Sequence, residues 1–314
     1  VRLLHQAGIP QEVLHFVPGS GSEIGMQLVS DARIAGVAFT GSIGTARRIN
    51  QVLAQGERIL PFIAETGGQN CMIVDSSALP EQVVKDVMAS AFNSAGQRCS
   101  ALRVLFLQQE IAPQILEMLC GAMDELRIGN PMQLSIDIGP IISHAACAEL
   151  QRHCERMDQE AHLIKTMSLP QDCEHGSYFA PHIYQIERID QLRQEVFGPI
   201  LHIIRYQASR LNEVIDAINQ SGYGLTLGIH SRINTTIDYI IRHTRCGNTY
   251  VNRNIIGAVV GSQPFGGEGL SGTGPKAGGP HYLQRFATER VVTINTAAVG
   301  GNAALLSLGE VNSK

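Results

Sequence analysis

The apolar and polar positions of this sequence form two alternating patterns. Short apolar runs predict strands at residues 13–17, 34–39, 58–64, 71–74 and 102–107, because such runs are typical of buried strands. Apolar positions three or four residues apart predict helices at residues 23–29, 46–53, 80–93, 111–126, 211–219 and 234–243, and another that ends near residue 158. Because strands and helices alternate without an obvious repeat, the sequence predicts an α/β fold.

The remaining segments are less regular. The pattern predicts a short helix at residues 2–7 closed by Gly8, loops at residues 165–182, and further strands after residues 195, 224 and 247. Residues 257–280 are rich in glycine but contain Phe265 and Leu270, so we expect a packed loop rather than a flexible linker. The tail predicts a strand at residues 291–295 and a second apolar segment at residues 297–306.

Composition narrows the class of protein. The 314 residues are 44% hydrophobic and 17% charged, which is enough for a large core in one or two α/β domains. A net charge of −4 and the lack of tryptophan argue against a nucleic-acid partner. Seven cysteines without paired spacing predict reduced thiols in the cytoplasm. No metal site is expected, because Cys147, Cys154, Cys173 and His175 lack the short paired spacing of zinc ligands.

The sequence also bears on membrane insertion, secretion and the nature of its first residues. No apolar run approaches the roughly 20 residues that span a bilayer, and no signal peptide is recognisable. The sequence begins at Val1 within a helical pattern and without methionine, so we expect an internal fragment of a longer chain.

Cys99 is the first candidate for chemistry. It follows a helical pattern within residues 92–100, whose sequence is FNSAGQRCS. A thiol is a nucleophile only as the thiolate, and we expect Arg98 and the local backbone N–H groups to lower the pKa of Cys99. The alternative is a small buried cysteine without a chemical role.

Two strand ends supply further candidates. Gly41 and Ser42 follow a predicted strand and precede a helix, where free N–H groups and the helix dipole favour an anion such as pyrophosphate. A capped connection without a ligand explains the same pattern. Glu65 and Gly67 follow the next strand, at an edge where α/β sheets often bind ligands.

Five motifs resemble those of the aldehyde dehydrogenase superfamily and occur in its order. They are FTGS at 39–42, ETGG at 65–68, GQRCS at 96–100, EVFGPIL at 195–201 and PFGG at 264–267. ETGGQN, Ser100 after the cysteine, residues 255–261 and residues 272–286 are similar to the L-glutamate γ-semialdehyde (1-pyrroline-5-carboxylate) dehydrogenases. The nearest resemblance is to the C-terminal module of the bifunctional proline utilization A family, which carries out both steps of proline catabolism to glutamate.

The resemblance implies a role for each site residue. Cys99 would be the nucleophile and Glu65 the general base, 34 residues apart as in the family. The implied cofactor-binding residues are Gly41, Ser42, Gly67, Glu195 and Phe197, with Glu195 on the nicotinamide ribose and Phe197 beside the nicotinamide. Glu195 as a cap of the next turn and Phe197 as a core residue remain alternatives.

The resemblance also implies a substrate site. Ser100 and the backbone N–H groups of Gly257 and Ala258 would bind the substrate carboxylate, and Phe265 would line the pocket. A simple turn at residues 257–261 is the alternative. The expected fold is aldehyde dehydrogenase-like, with part of a Rossmann-type NAD-binding domain at 1–66, a catalytic thiol domain at 67–265 and a glycine-rich loop and oligomerisation tail at 266–314.

The implied cofactor is NAD, although the strand that separates NAD from NADP is not matched; FAD would belong only to a proline dehydrogenase half. We expect a homo-oligomer whose parent chain carries that half and lies in the cytoplasm, associated peripherally with the inner membrane. A cofactor-binding lysine and an oxyanion-hole asparagine of the family are unmatched, so we expect residues 1–314 alone to be nearly inactive. A non-catalytic scaffold and a cysteine hydrolase remain alternatives, the latter lacking an assignable histidine.

Overall fold

The structure of the protein is a computed structural model that describes residues 1–259 and 261–295. In chain order its elements are α1 (Arg2–Gln6), α2 (Met26–Ser30), β1 (Val37–Thr40), α3 (Ile43–Ala54), β2 (Phe62–Glu65), β3 (Cys71–Val74), α4 (Pro80–Phe92), β4 (Val104–Gln108), α5 (Ala112–Asp124), α6 (His144–Glu160), β5 (His162–Thr166), β6 (His182–Gln185), β7 (Ile200–Tyr206), α7 (Leu211–Gln220), β8 (Tyr223–Gly224), β9 (Thr226–His230), α8 (Asn234–His243), β10 (Asn248–Val251) and β11 (Glu268–Gly269). The predicted α/β fold is confirmed.

A seven-stranded sheet forms the centre of the molecule. Its strand order is β10-β9-β3-β4-β7-β6-β5, and every neighbouring pair is parallel except β5 with β6. All residues of β3 and β4 are buried, as expected for inner strands that are covered on both faces. The main hydrophobic core therefore surrounds this sheet.

Two smaller sheets stand beside it. β1 and β2 form a parallel pair in which Thr40 lies opposite Glu65. β8 and β11 form a short antiparallel pair that joins the glycine-rich segment to the end of α7. The expectation that residues 257–280 form a packed loop is confirmed for the part that the structure describes, because Phe265 and Ala277 also pair as an isolated bridge.

Four sequence predictions were wrong or shifted. Residues 14–17 pair with no strand in the described part of the chain, and Gln11–Val13 is a 3-10 turn. The helix expected from a Ser22 cap is instead preceded by a π-helical turn that Ser20 caps through Glu23 N–H. The loop prediction for residues 165–182 missed the start of β6 and the end of β5. Residues 291–295 form no strand, and Val291 is exposed.

The predicted apolar segment at 297–306 lies outside the described residues, and so does Val260. Among the residues that the structure does describe, no helix is both long and apolar enough to cross a bilayer.

Candidate active site

The candidate residues meet where two sheets approach each other. Glu65 ends β2, and residues 66–70 connect it directly to β3. Cys99 precedes β4 and Glu195 precedes β7, so both come from the amino ends of strands in the large sheet. The site therefore lies between the carboxyl end of the small β1–β2 sheet and the amino edge of the large one.

The backbone turn that precedes Cys99 at this edge is strained. After α4 ends at Phe92, Ser94, Ala95 and Gly96 all adopt left-handed φ values of 57°, 52° and 64°. Such values are unfavourable for Ser94 and Ala95 and persist only where the surroundings enforce them. A Cβ atom on Gly96 would lie 2.3 Å from the Gly198 carbonyl oxygen, so this position requires glycine.

Asn70 holds one side of the Cys99 loop. Its buried amide Nδ2 donates to the carbonyl oxygens of Cys99 at 2.7 Å and Ala101 at 2.8 Å, while its Oδ1 accepts from Thr226 N–H at 3.1 Å. Buried polar groups that are fully bonded fix a single conformation. Asn70 therefore ties the nucleophile loop to both β3 and β9.

Arg103 holds the other side and is only 1% exposed. Its Nη1 donates to the carbonyl oxygens of Gly96 at 2.7 Å and Gly198 at 3.1 Å, and its Nη2 donates to Arg98 O at 3.0 Å. The same guanidinium lies 3.5 Å from Glu195 Oε1 and 5.3 Å from the centre of the Phe197 ring. One cation thus fixes the loops of both halves of the site.

Sequence reasoning missed both of these residues. Residues 102–107 were interpreted only as a strand, although a charged residue inside an apolar run is a signal of a buried ion pair. Asn70 was noted within the ETGGQN motif without a structural role.

The pKa of Cys99 is raised, not lowered. Burial is the main cause, and the negative charges of Glu195 and Glu65 add to it, whereas the N–H groups of Ser100 and Cys99 lower it. Arg98 does not reverse the shift; its Nε donates to Ser94 Oγ at 3.0 Å. The expected activation by Arg98 was therefore wrong, and the thiol needs a base that accepts its proton.

Glu65 is the carboxylate best suited to act as a general base toward water. It is 9% exposed, its Oε2 accepts from Gly267 N–H at 3.0 Å, and its Oε1 is buried with no hydrogen-bond partner in the described residues. Burial raises its pKa to about 7, although Gly267 N–H and Lys276 oppose the shift. A Cβ atom on Gly266 would lie 2.6 Å from Oε1, so the glycine leaves space for this oxygen.

Two of the residues predicted to bind a cofactor, Gly41 and Ser42, lie beside Glu65. Gly41 N–H donates to Glu65 O at 3.1 Å, and Ser42 caps the 12-residue helix α3 by accepting from Thr45 N–H at 3.2 Å. The positive end of α3 therefore lies at the same sheet edge as the candidate base. Ser42 serves as a cap, as one sequence alternative held, and this leaves the neighbouring N–H groups available to an anion.

Glu195 and Phe197 lie on the other side of the Cys99 loop. Glu195 pairs with Arg103 and with Gly68 N–H, and burial raises its pKa. A Cβ atom on Gly67 would lie 1.6 Å from Glu195 Oε2, so Gly67 leaves the space that this carboxylate occupies. Phe197 is 43% exposed, which excludes the alternative of a core residue. A helix N-terminus, a carboxylate and an exposed ring fit the pyrophosphate, ribose hydroxyls and nicotinamide of NAD.

Three of the four predicted substrate residues, Ser100, Ala258 and Phe265, line one cavity of about 590 Å³, and Gly257 does not. Its lining residues are Gln97, Arg98, Cys99, Ser100, Ala258, Gln263, Phe265, Ala277 and Gly278. Gly257 precedes this wall with a φ of 73°, which glycine adopts at little cost. Gln97 also lines a second cavity, which Glu195 and Phe197 share, so the two cavities lie on either side of this residue. Gln263 is a lining residue that sequence reasoning did not identify, and Arg98 was identified only as a cation beside Cys99.

No cluster of three or more metal-binding side chains occurs in the described ranges. The site itself contains a thiol, Cys99, and a buried carboxylate with a raised pKa, Glu65. This combination fits covalent catalysis through Cys99 followed by base-assisted attack of water.

Comparison with known proteins agrees with this geometry. The model of the aldehyde dehydrogenase family matches residues 1–292. The chain is 51% identical over 300 residues to the bifunctional protein PutA of Klebsiella aerogenes, covering 92% of this chain and 23% of that protein. It is 34% identical to the 1-pyrroline-5-carboxylate dehydrogenase of Bacillus pumilus, covering 93% of this chain and 57% of that enzyme. The chain thus spans only part of each relative.

Solved structures give the same result. A crystal structure of bifunctional proline utilization A (PutA) matches with a TM-score of 0.91 and 56% identity, over 95% of this chain and 30% of that one. A 1-pyrroline-5-carboxylate dehydrogenase from Thermus with bound NAD matches with a TM-score of 0.83 and 33% identity, over 91% of this chain and 55% of that one. This chain belongs to the aldehyde dehydrogenase family.

Proposed function

We propose that this chain supplies the thiol and the base for the NAD-dependent oxidation of L-glutamate γ-semialdehyde to L-glutamate, the second step of proline catabolism. One observation carries the proposal: Cys99, Ser100, Ala258 and Phe265 share a cavity with the cationic side chain of Arg98. A cavity with a nucleophile, a hydroxyl and a cation fits an aldehyde that also bears a carboxylate. The names of the PutA and 1-pyrroline-5-carboxylate dehydrogenase relatives support the same substrate.

The residues divide the reaction into two steps. Cys99 Sγ loses its proton to solvent water and attacks the aldehyde carbon, and the new oxyanion is stabilised by the Cys99 backbone N–H. NAD, when bound beside Glu195 and Phe197, would supply the hydride acceptor for this oxidation, after which Cys99 carries the product as a thioester. A water molecule then transfers one proton to Glu65 and attacks the thioester carbonyl, which releases the carboxylic acid and the Cys99 thiolate, and the acid gives its proton to solvent.

The ionisation of Glu65 suits this role. Its pKa of about 7 means that the carboxylate is partly ionised at neutral pH and is a stronger base than an exposed glutamate. Gly267 N–H holds one oxygen, and the unpartnered Oε1 is left for water. Arg103 and Asn70 keep Cys99 in place while both steps occur.

The substrate and cofactor are tested together by an assay of the intact protein, meaning the full parent chain, with L-glutamate γ-semialdehyde and NAD. We expect NADH formation that Cys99→Ala abolishes. We also expect Arg98→Met to raise the KM for this substrate but not for an uncharged aliphatic aldehyde of similar length. Activity that survives Cys99→Ala, or equal use of both aldehydes by the intact protein, would contradict the proposal.

The names of the relatives and the state of the cysteines support a proposal on partners and compartment. We propose that the parent protein is a cytoplasmic homo-oligomer whose chain also contains a proline dehydrogenase domain, as the word bifunctional in the names of the PutA relatives suggests. All seven cysteines are unpaired, which supports a reducing compartment.

We also propose that residues 1–314 alone have little dehydrogenase activity. The β1–β2 sheet has only two strands in the described part of the chain, and isolated two-stranded sheets are marginally stable. NAD binding to the purified 314 residues, measured by calorimetry, tests this; affinity equal to that of the parent protein would contradict it.

A further inference from the structure

Lys276 is a charged residue of the glycine-rich segment to which neither step above assigns a role. Its Nζ donates to the carbonyl oxygen of Gly266, and the next residue, Gly267, donates its N–H to Glu65 Oε2 at 3.0 Å. The ammonium is therefore bonded to the turn that holds the candidate base. A Cβ atom on Gly247 would lie 2.5 Å from Nζ, so a glycine also leaves the space that the ammonium occupies.

The charges around this ammonium define its environment. Lys276 is half-buried, and the acidic groups that face it are Glu65, Cys246 and Glu268. Glu65 in turn is faced by Lys276 and by the thiol of Cys99. Among the described residues, Lys276 is thus the cation whose charge lowers the pKa of Glu65 against the effect of burial.

We propose that Lys276 is a positioning residue that increases the ionised fraction of Glu65 at neutral pH and so speeds hydrolysis of the thioester. The proposal rests on the proposed function, in which Glu65 is the base. Burial alone favours the protonated carboxyl, and a protonated Glu65 cannot accept a proton from water. The Lys276 ammonium, bonded to the turn beside Glu65, opposes this effect of burial without touching the substrate.

A purely structural role is the competing explanation. If Lys276 only braces the Gly266–Gly267 turn, its removal slows hydrolysis equally at every pH. If its charge matters, removal slows hydrolysis most in acid and least in alkali, where Glu65 ionises without help. The pH profile therefore separates the two explanations.

The experiment uses the intact protein and measures the steady-state rate after the initial burst of NADH, which isolates thioester hydrolysis. Lys276→Gln keeps a side-chain donor but removes the charge, Lys276→Arg keeps the charge, and Lys85→Gln changes an exposed lysine on α4 as a matched control. We expect Lys276→Gln to move the acidic midpoint up by about one pH unit. Hydrolysis then falls about tenfold at pH 6 and less than about twofold at pH 9.

The remaining variants complete the test. Lys276→Arg and Lys85→Gln should keep the parent midpoint. An unchanged midpoint in Lys276→Gln, or an equal loss at all pH values, would overturn the role of Lys276 while leaving Glu65 as the base. If Glu65→Gln itself fails to slow hydrolysis, the proposed function is overturned instead. Should Lys276→Gln not fold, Lys276→Met serves as the uncharged variant, and the same upward shift of the acidic midpoint is expected. A midpoint that also moves in Lys276→Arg would overturn the role of the charge.

Discussion

The parts of the chain on either side of Glu65 differ in how they are packed. In the larger part, β3 and β4 are buried at every residue. In residues 1–66, β1 alternates between half-buried and exposed positions, and Phe16 and Ile59 are exposed to solvent. The part after Glu65 thus has a core of its own, whereas residues 1–66 depend more on contacts with the rest of the chain.

The glycine-rich segment supplies several of those contacts. Thr66 N–H donates to Ser271 O at 3.0 Å, and Ala64 N–H donates to Thr273 Oγ1 at 3.1 Å. Glu65 and Gly272 also form an antiparallel bridge. Residues 271–273 therefore lie antiparallel beside the end of β2 and hold the base in position through backbone hydrogen bonds.

The largest effect is expected in the well-packed part. Arg103→Met removes a buried cation and leaves Glu195 unpaired, which should lower the free energy of unfolding by about 3–5 kcal/mol. Arg98→Met, which loses one bond at a half-exposed position, should cost less than about 1 kcal/mol. Urea unfolding measures both, and equal losses in the two variants would contradict the role given to Arg103.

A gain in stability, rather than a loss, is expected from a change at Glu65, where the two parts of the chain meet. Because the native pKa of Glu65 is raised to about 7, the native state favours the protonated form, and stability falls as pH rises from about 4.5 to 7. Glu65→Gln should therefore raise the free energy of unfolding at pH 8 by up to about 3 kcal/mol and leave it nearly unchanged at pH 4.

Urea titrations at the two pH values measure this difference. A change at an exposed glutamate should give no comparable gain, so Glu117→Gln on α5 is a suitable control. If Glu65→Gln raised the free energy of unfolding as much at pH 4 as at pH 8, burial would not be what shifts the pKa of Glu65.

The smallest effect is expected in residues 1–66. Phe16 is 73% exposed, so Phe16→Ser should change the free energy of unfolding by less than about 0.5 kcal/mol. Phe92, at the end of α4, is 1% exposed, and Phe92→Ala should cost about 3–5 kcal/mol. Similar melting temperatures for the two variants would remove the contrast between the two parts.

Much of the fold follows from local sequence patterns. The α8 helix at Asn234–His243 and the strand at Cys71–Val74 have the predicted bounds, because the apolar spacing of α8 is regular and the strand is buried at every residue. The strand predicted at 13–17 failed because an apolar run forms a strand only beside a partner. β5 was missed because an exposed edge strand such as His162–Thr166 carries few apolar residues.

The candidate site, like the fold, was predicted from the sequence only in part. Cys99, Ser100, Ala258 and Phe265 were chosen from motifs, and the structure places them around one cavity. The sign of the Cys99 pKa shift was predicted wrongly, because burial and the approach of Glu195 come from distant parts of the chain. The role of Arg103 was equally hidden, since its partners Gly96, Gly198 and Glu195 are brought together only by folding.

The most direct test of the account is a single-turnover experiment with Glu65→Gln in the intact protein. The account predicts one rapid equivalent of NADH per site, followed by slow turnover, with a glutamyl thioester on Cys99 that mass spectrometry detects. The burst should vanish in Cys99→Ala. Steady-state turnover of Glu65→Gln at the parent rate, or a burst without an acyl group on Cys99, would contradict the claim that Cys99 and Glu65 act on the same carbon atom.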